Sequence, residues 1–386
     1  MAIGTHVDWR GMVDLLWFEK TFGEIMANLQ EIIKEEIVNS GPMAISRYME
    51  LALSHPEFGY YMKQDPFGED GDFTTAPEIS QMFGELIGIW SAVVWQGMGG
   101  PENINLVELG PGRGTLMADC TRAAGALEEF DDAIRITLVE TSPVLRDMQK
   151  KTLLATMRMP AWRDSFDDVT DGPLIVLANE FFDALPIDQY EKSNTGWHVR
   201  AIGWDEDEEI LKYVLGEKLD DESTIPPDLK NAPMGAIFER SPIGEKIIRS
   251  ISERILKFGG AALIIDYGHI ERGIGDTLQA VKNHAYFDVL AEPGNADITT
   301  HVDFSALASI AEGMGLNVMG PVPQGAFLAR LGLRQRADRL ILSASGEQAA
   351  EIEASYARLV EAEQMGTLFK VMCIASPGLG VPPWAG

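Results

Sequence analysis

The stretch LVELGPGRGTL, residues 106–116, constrains the fold more than any other part of the chain. An apolar run of β type ends in a glycine turn that opens a helix, which is how a nucleotide-binding βα unit begins. Its glycines are Gly110, Gly112 and Gly114, and Thr115 stands where a dinucleotide fingerprint needs its third glycine. No G-K-[ST] tripeptide occurs anywhere in the chain, which excludes a P-loop. Glu108 then chooses among the remaining ligands. A carboxylate at the strand end opposes pyrophosphate, but it suits S-adenosylmethionine, which lacks phosphate and carries a sulfonium and an ammonium. The glycines let that ligand lie close to the backbone.

The later strands supply matching groups. IRITLVE ends in Glu140, placed to take both ribose hydroxyls in a bidentate hydrogen bond. The loop AWRDSF offers Asp164 to the adenine amino group, with Ser165 and Phe166 alongside. The next strand runs into LANEFFDALP, where Asn179, Glu180 and Asp183 lie among Phe181, Phe182 and Leu185. A methyl-acceptor nitrogen needs polar atoms to orient it and an aromatic wall to exclude water. Asn179, Glu180, Phe182 and Asp183 are therefore the catalytic candidates, with either carboxylate able to bind a guanidinium or take its proton. Asp266 and Tyr267, with His269 close by, line the acceptor pocket or serve as core and loop groups. His301 orients a loop, touches substrate or, the preferred reading, is structural; Arg113 pairs with the cofactor carboxylate or, as preferred, faces solvent or a neighbouring acid. No residues are assigned to a metal.

Around these motifs, apolar strands alternate with helices in the pattern of a buried parallel sheet with right-handed crossovers. Helices are expected from about Phe18 to Val38, Ala44 to Ser54 and Ile79 to Met98, with a long irregular segment at 55–80. Two antiparallel strands flank the acidic DEDEE at 205–209. A strand at 259–268, a loop, a helix, a strand, and a final helix and strand complete the chain. The divisions expected are an N-terminal helical extension with a cofactor-covering loop at 1–98, the first part of the core at 99–190, an insertion at 191–240, and the second part of the core at 241–386.

Charge narrows the partners. Lys and Arg number 31 against 59 Asp and Glu, a net charge of −28, so a nucleic-acid strand would be repelled and a basic, arginine-bearing protein attracted. The two cysteines, Cys120 and Cys373, read as buried reduced thiols. The first 25 residues lack the pattern of a secretory signal or transit peptide. No run approaches the roughly 20 apolar residues of a membrane span. A cytoplasmic protein is expected, or a mitochondrial one in a eukaryote.

The blocks GPMAISRYMELALSHPEFGYYM, GDFTTAPEISQMFGELIGIW, LVELGPGRGTLMAD, LANEFFDALPI, GGAALIIDYG, GDTLQAV, HVDFSALA, QGAFL and MGTLFKV together resemble the MidA-like family of class I methyltransferases. That family includes the mitochondrial protein arginine methyltransferase that serves assembly of respiratory complex I. The resemblance runs from about residue 41 to 372 and leaves out the first 25 or so residues and the 191–235 insertion. It implies a Rossmann-like, seven-stranded α/β sheet with an N-terminal helical extension and a β-containing insertion. It also implies symmetric dimethylation of an arginine on the complex I subunit beside the quinone site. It carries the glycine motif onto Gly110, Gly112 and Gly114, and the NEFFD motif onto Asn179 to Asp183. Thr74, Thr75, Pro77 and Glu78 fall on the family segment that closes over the cofactor. A non-catalytic assembly factor, a small-molecule methyltransferase and a homodimer are left open by the residues themselves.

Overall fold

The computed structural model describes residues 28–63, 75–154, 156 and 158–384. The start of the helix expected from Phe18, and Thr74, lie outside the described residues. Seven strands form the central sheet: β1 (Ile104–Leu109), β2 (Ile134–Val139), β3 (Ala161–Arg163), β4 (Leu174–Asn179), β5 (Gly260–His269), β6 (Asn317–Pro323) and β7 (Phe369–Ala375). Their spatial order is β6-β7-β5-β4-β1-β2-β3. β1 to β5 run parallel, and β7 is antiparallel to both β5 and β6. The two-residue strand Val302–Asp303 adds to the end of β5. This is the α/β sheet expected. Strand order reverses between β1 and β4, and such a switch point opens a crevice beyond the carboxyl ends of the strands.

The strands are apolar on both faces because both faces are covered. Leu106, Leu177, Leu263, Val371 and Cys373 share one core with the helices Gln81–Gly97 and Thr115–Ala124. Val107, Val176, Ile264 and Met372 share the other with Pro242–Phe258 and Phe304–Gly313. Each fully buried Leu, Ile or Val side chain contributes about 1.5–3 kcal/mol by leaving water. A Cβ on Gly88 would stand 2.5 Å from the Cys120 carbonyl oxygen, so a glycine there lets Gln81–Gly97 seat against Thr115–Ala124. Both cysteines are buried and free.

Residues 188–240 build a second, antiparallel sheet from Asp188–Ser193, Gly196–Asp205, Ile210–Lys218 and Ile237–Arg240, joined by Met43–Ala44. The helices Leu29–Ser40 and Ile45–Ser54 cover it through Ile33, Ile37, Tyr48 and Met49, which meet Ile187, Ile202 and Leu211. Among the described residues no helix is long and apolar enough to cross a membrane.

Three local expectations are corrected. The helix expected from Ile79 to Met98 is broken at Ser80, whose hydroxyl accepts from the Met82 N–H and starts Gln81–Gly97 anew after the short Ala76–Ile79. The loop expected after β5 contains a three-stranded sheet of Gln279–Lys282, Ala285–Phe287 and Asp297–Thr299. Those strands have three or four residues each, too few to display a period. The single final helix is four, Gln324–Leu331, Leu333–Ile341, Gly346–Val360 and Met365–Leu368. A left-handed Gly332 and a capping box at Ser345 separate the first three.

Candidate active site

β1 and β4 pair as far as Leu109 and Ala178, and both chains then turn sharply at the switch point. Gly110 turns with φ 59°, and a Cβ on it would lie 2.8 Å from the Phe181 ring, so the two loops meet only because this position is glycine. Glu180 turns with φ 50° although it carries a side chain, a conformation costing about 1–3 kcal/mol. It is held in place: its N–H donates to the Ile265 carbonyl at 2.9 Å, and its Oε1 accepts from the Ala76 N–H and the Asn179 amide at 3.2 and 3.1 Å. A cavity of about 610 Å³ lies over these strand ends. A smaller one of about 40 Å³ shares Thr75, Gly110, Gly112 and Glu180 with it.

One part of this space presents the groups expected to hold the cofactor. Glu140, Asp164 and Ser165 line the large cavity. Glu140 is buried at the end of β2, and its Oε1 accepts from the Ser142 N–H at 2.8 Å while Oε2 accepts from the Gln149 amide at 3.2 Å. Asp164 stands at the rim with 79% of its side chain exposed, fixed by Arg146 at 2.6 Å. Pro77, Glu78 and Glu108 line the small cavity. Burial pushes the Glu108 carboxyl well up, against a Met117 backbone hydrogen bond, and its Oε2 has no partner among the described residues. A buried, half-satisfied acid facing a cavity is a seat for a cation. The ammonium and sulfonium of S-adenosylmethionine supply that charge, so the residues fit this cofactor. Gly114 starts the helix Thr115–Ala124 and rests on Gln149. Arg113 pairs with Glu78 at 3.5 Å, the neighbouring-acid alternative, and the Thr115 hydroxyl donates to Glu78 as well. Glu78 thus latches the Thr75–Ile79 segment onto the glycine loop.

The other part is strongly acidic. Glu180 and Asp183 both line the large cavity, and Asp183 is only 5% exposed, with an Oδ1 that has no partner among the described residues. Burial first, then the Asp183 charge, raises the Glu180 carboxyl to about 8; burial raises Asp183 to about 6, opposed by a hydrogen bond from Tyr267. Asn179 lines the small cavity, and its Oδ1 has no partner among the described residues. Asp266 anchors this loop: its Oδ2 accepts from the backbone N–H groups of Phe181, Phe182 and Asp183 at 3.0–3.3 Å, and its Oδ1 from Tyr267 N–H at 2.9 Å. Asp266 is therefore an anchor and Tyr267 a lining residue.

Of the two aromatic rings, Phe181 lines the large cavity. Phe182, expected in that wall with Phe181 and named as a catalytic candidate, is 4% exposed and packs into the core with Ile248. The left-handed turn at Glu180 sets which of the two rings faces the cavity, and the sequence does not display it. His269 and His301 line a separate pocket of about 100 Å³, and His301 meets the Tyr267 ring edge to face, 5.6 Å between centroids. Polar lining residues not singled out in the sequence include Glu50, Lys246, Tyr61 and Asp297, the last two with side chains that meet at 2.8 Å. Tyr61 stands in the aromatic part of the irregular 55–80 segment, while nothing in DIT marks Asp297.

The model of a family of S-adenosyl-L-methionine-dependent methyltransferases matches residues 86–322. The chain is similar to the mitochondrial protein arginine methyltransferase NDUFAF7 of Homo sapiens, 34% identical over 95% of this chain and 87% of the relative. It is 35% identical to that of Danio rerio over 95% and 91%, and 36% identical to the homolog of Drosophila melanogaster over 90% and 84%. Among solved structures, a Burkholderia thailandensis protein bound to S-adenosyl-homocysteine superposes with a TM-score of 0.77 at 26% identity, covering 90% of this chain and 91% of that one.

Proposed function

Because the chain belongs to this family of S-adenosyl-L-methionine-dependent methyltransferases, we propose that it methylates arginine side chains of a protein. The observation that carries the reading is the buried pair Glu180 and Asp183. Burial first, then the charges of Asp183 and Asp297, raises Glu180; burial raises Asp183; and no lysine or arginine is ion-paired to either among the described residues. Like charges out of water are unstable unless a cation joins them, and a guanidinium presents one charge with five N–H donors to fill the empty lone pairs.

S-adenosylmethionine, when bound, supplies an electrophilic methyl group on its sulfonium. Glu108 balances the cationic methionine portion, Glu140 takes the ribose hydroxyls, and Asp164 with Ser165 borders the adenine. Asn179 and Ala76 hold Glu180, which orients the guanidinium. Asp183, steadied by Tyr267, would receive on Oδ1 the proton that the acceptor nitrogen sheds as the methyl passes to it from the sulfonium sulfur, leaving S-adenosyl-homocysteine. Phe181 keeps water from that line. Symmetric dimethylation, and an acceptor on the quinone-side subunit of complex I, are the substrate assignments we add, supported by the family resemblance; the net charge of −28 favours a basic acceptor segment. The free buried cysteines support a reducing compartment, the cytoplasm of a bacterium or the mitochondrion of a eukaryote.

The reading predicts a pH profile. An acceptor cation needs both carboxylates ionised, so kcat/KM for an arginine acceptor rises with pH through about 6 and again through about 8. Stability moves the other way. A carboxyl raised in the folded state contributes stability that is present below its unfolded pKa and lost as pH rises through the folded one. The melting temperature of the ligand-free wild type therefore falls more steeply between about pH 6 and about pH 8 than that of Glu180→Gln. A flat rate profile over that range contradicts the reading.

A further inference from the structure

We propose that Asp297 and Tyr61 complete the acceptor pocket, receiving the arginine guanidinium jointly with Glu180 and Asp183. The proposal rests on the reading of an arginine acceptor. Asp297 opens the strand Asp297–Thr299 and is 6% exposed; Tyr61 belongs to the short helix Tyr60–Lys63. Both line the large cavity together with Glu180 and Asp183. The Tyr61 hydroxyl donates to Asp297 Oδ1 at 2.8 Å and also lies within the field of Asp183, while Glu180 lies within the fields of Asp183 and Asp297. Three carboxylates and a phenol from three separate elements thus converge on one volume.

The unpartnered Oδ1 of Asp183 gives that cluster a direction, since a buried acceptor left empty calls for a donor from the ligand. Asp183 and Glu180 come from one turn after β4 and can serve one edge of a planar guanidinium. The fork has donors on all three nitrogens, and acceptors from a second element are needed to engage the rest. Asp297 meets that need, held in place by Tyr61. A lysine ammonium, a compact point charge, gains less from acceptors spread over several elements.

The test is calorimetric titration of the S-adenosyl-homocysteine-saturated full chain with ethylguanidinium chloride, which presents the guanidinium alone. Wild type is expected to bind it more tightly than n-butylamine. Asp297→Asn, which keeps an acceptor for Tyr61 but removes the charge, is expected to weaken ethylguanidinium at least about tenfold while leaving S-adenosyl-homocysteine affinity unchanged. Asp297→Glu, which keeps the charge, is expected to lie closer to wild type than Asp297→Asn. Equal affinity in wild type and Asp297→Asn, or a greater loss in Asp297→Glu, overturns the inference and leaves the arginine reading standing. No ethylguanidinium binding by wild type overturns the arginine reading, and this inference with it.

Discussion

Glu180→Gln is expected to lower kcat/KM for an arginine acceptor by about 100- to 1,000-fold, equivalent to about 2.7–4 kcal/mol. S-adenosyl-homocysteine affinity should stay within about threefold of wild type. The size follows from burial. Glu180 is enclosed at the end of β4, its Oε1 already engaged by Ala76 and Asn179, and its charge is what the cavity offers an incoming cation. An amide of the same shape keeps the two internal hydrogen bonds through its carbonyl, but it removes the charge and turns a donor toward a donor-rich ligand. Truncating one member of a buried charge pair costs about 2–5 kcal/mol, well above the 0–1 kcal/mol typical of an exposed pair. The same change removes the cost of holding a buried acid whose carboxyl is raised to about 8, by burial first and then by the Asp183 charge, and so raises the melting temperature of the ligand-free protein at neutral pH. Opposite signs in stability and activity separate a site residue from a structural one. Steady-state kinetics with a thermal melt measure both, and an unchanged kcat/KM would remove Glu180 from the site.

Gly112→Val is expected to weaken S-adenosyl-homocysteine at least about 100-fold, or about 2.7 kcal/mol, in calorimetric titration. Gly112 has φ 51° and lines both cavities, and its carbonyl accepts from the Gln149 amide at 2.8 Å. A β-branched residue at that φ is an outlier, and its methyl groups add bulk where the cofactor must approach the backbone. Gln149 also donates to Glu140, so a displaced glycine loop disturbs that carboxylate as well. Gly41→Ala controls for strain alone. Gly41 has φ 88°, and a Cβ on it would meet nothing within 4 Å, so that variant should lose a little stability and no cofactor affinity. Equal binding by a folded Gly112→Val and wild type would contradict the placement of the cofactor on the glycine loop.

How far the sequence could be read depended on how local each signal was. β1 and β4 were legible because a strand covered on both faces reads as an unbroken apolar run, and ligand groups in such sheets gather at the strand ends. That logic put Glu108, Glu140 and the Asn179 to Asp183 edge at the strand ends, and there all of them but Phe182 line the two cavities. Phe181 and Phe182 were confused because the turn at Glu180 leaves no mark in residue type, a positive φ at a glutamate being uncommon. Tyr61 and Asp297 are 236 residues apart, and only the packing of the N-terminal helices and the 279–299 sheet into one core brings them together. Asp266 could be placed near the site by its position at the end of β5, but its three hydrogen bonds to the Phe181–Asp183 backbone depend on the pairing of β5 with β4.

The central claim, methyl transfer from S-adenosylmethionine to a protein arginine, is tested most directly by incubating the full chain with methyl-labelled cofactor and the purified quinone-side subunit of complex I, then mapping the label by mass spectrometry. The account predicts label on an arginine guanidinium, formed together with S-adenosyl-homocysteine and abolished in Gly112→Val. Cofactor bound by the chain with no label on any arginine of that subunit, or label on another residue type, would contradict it.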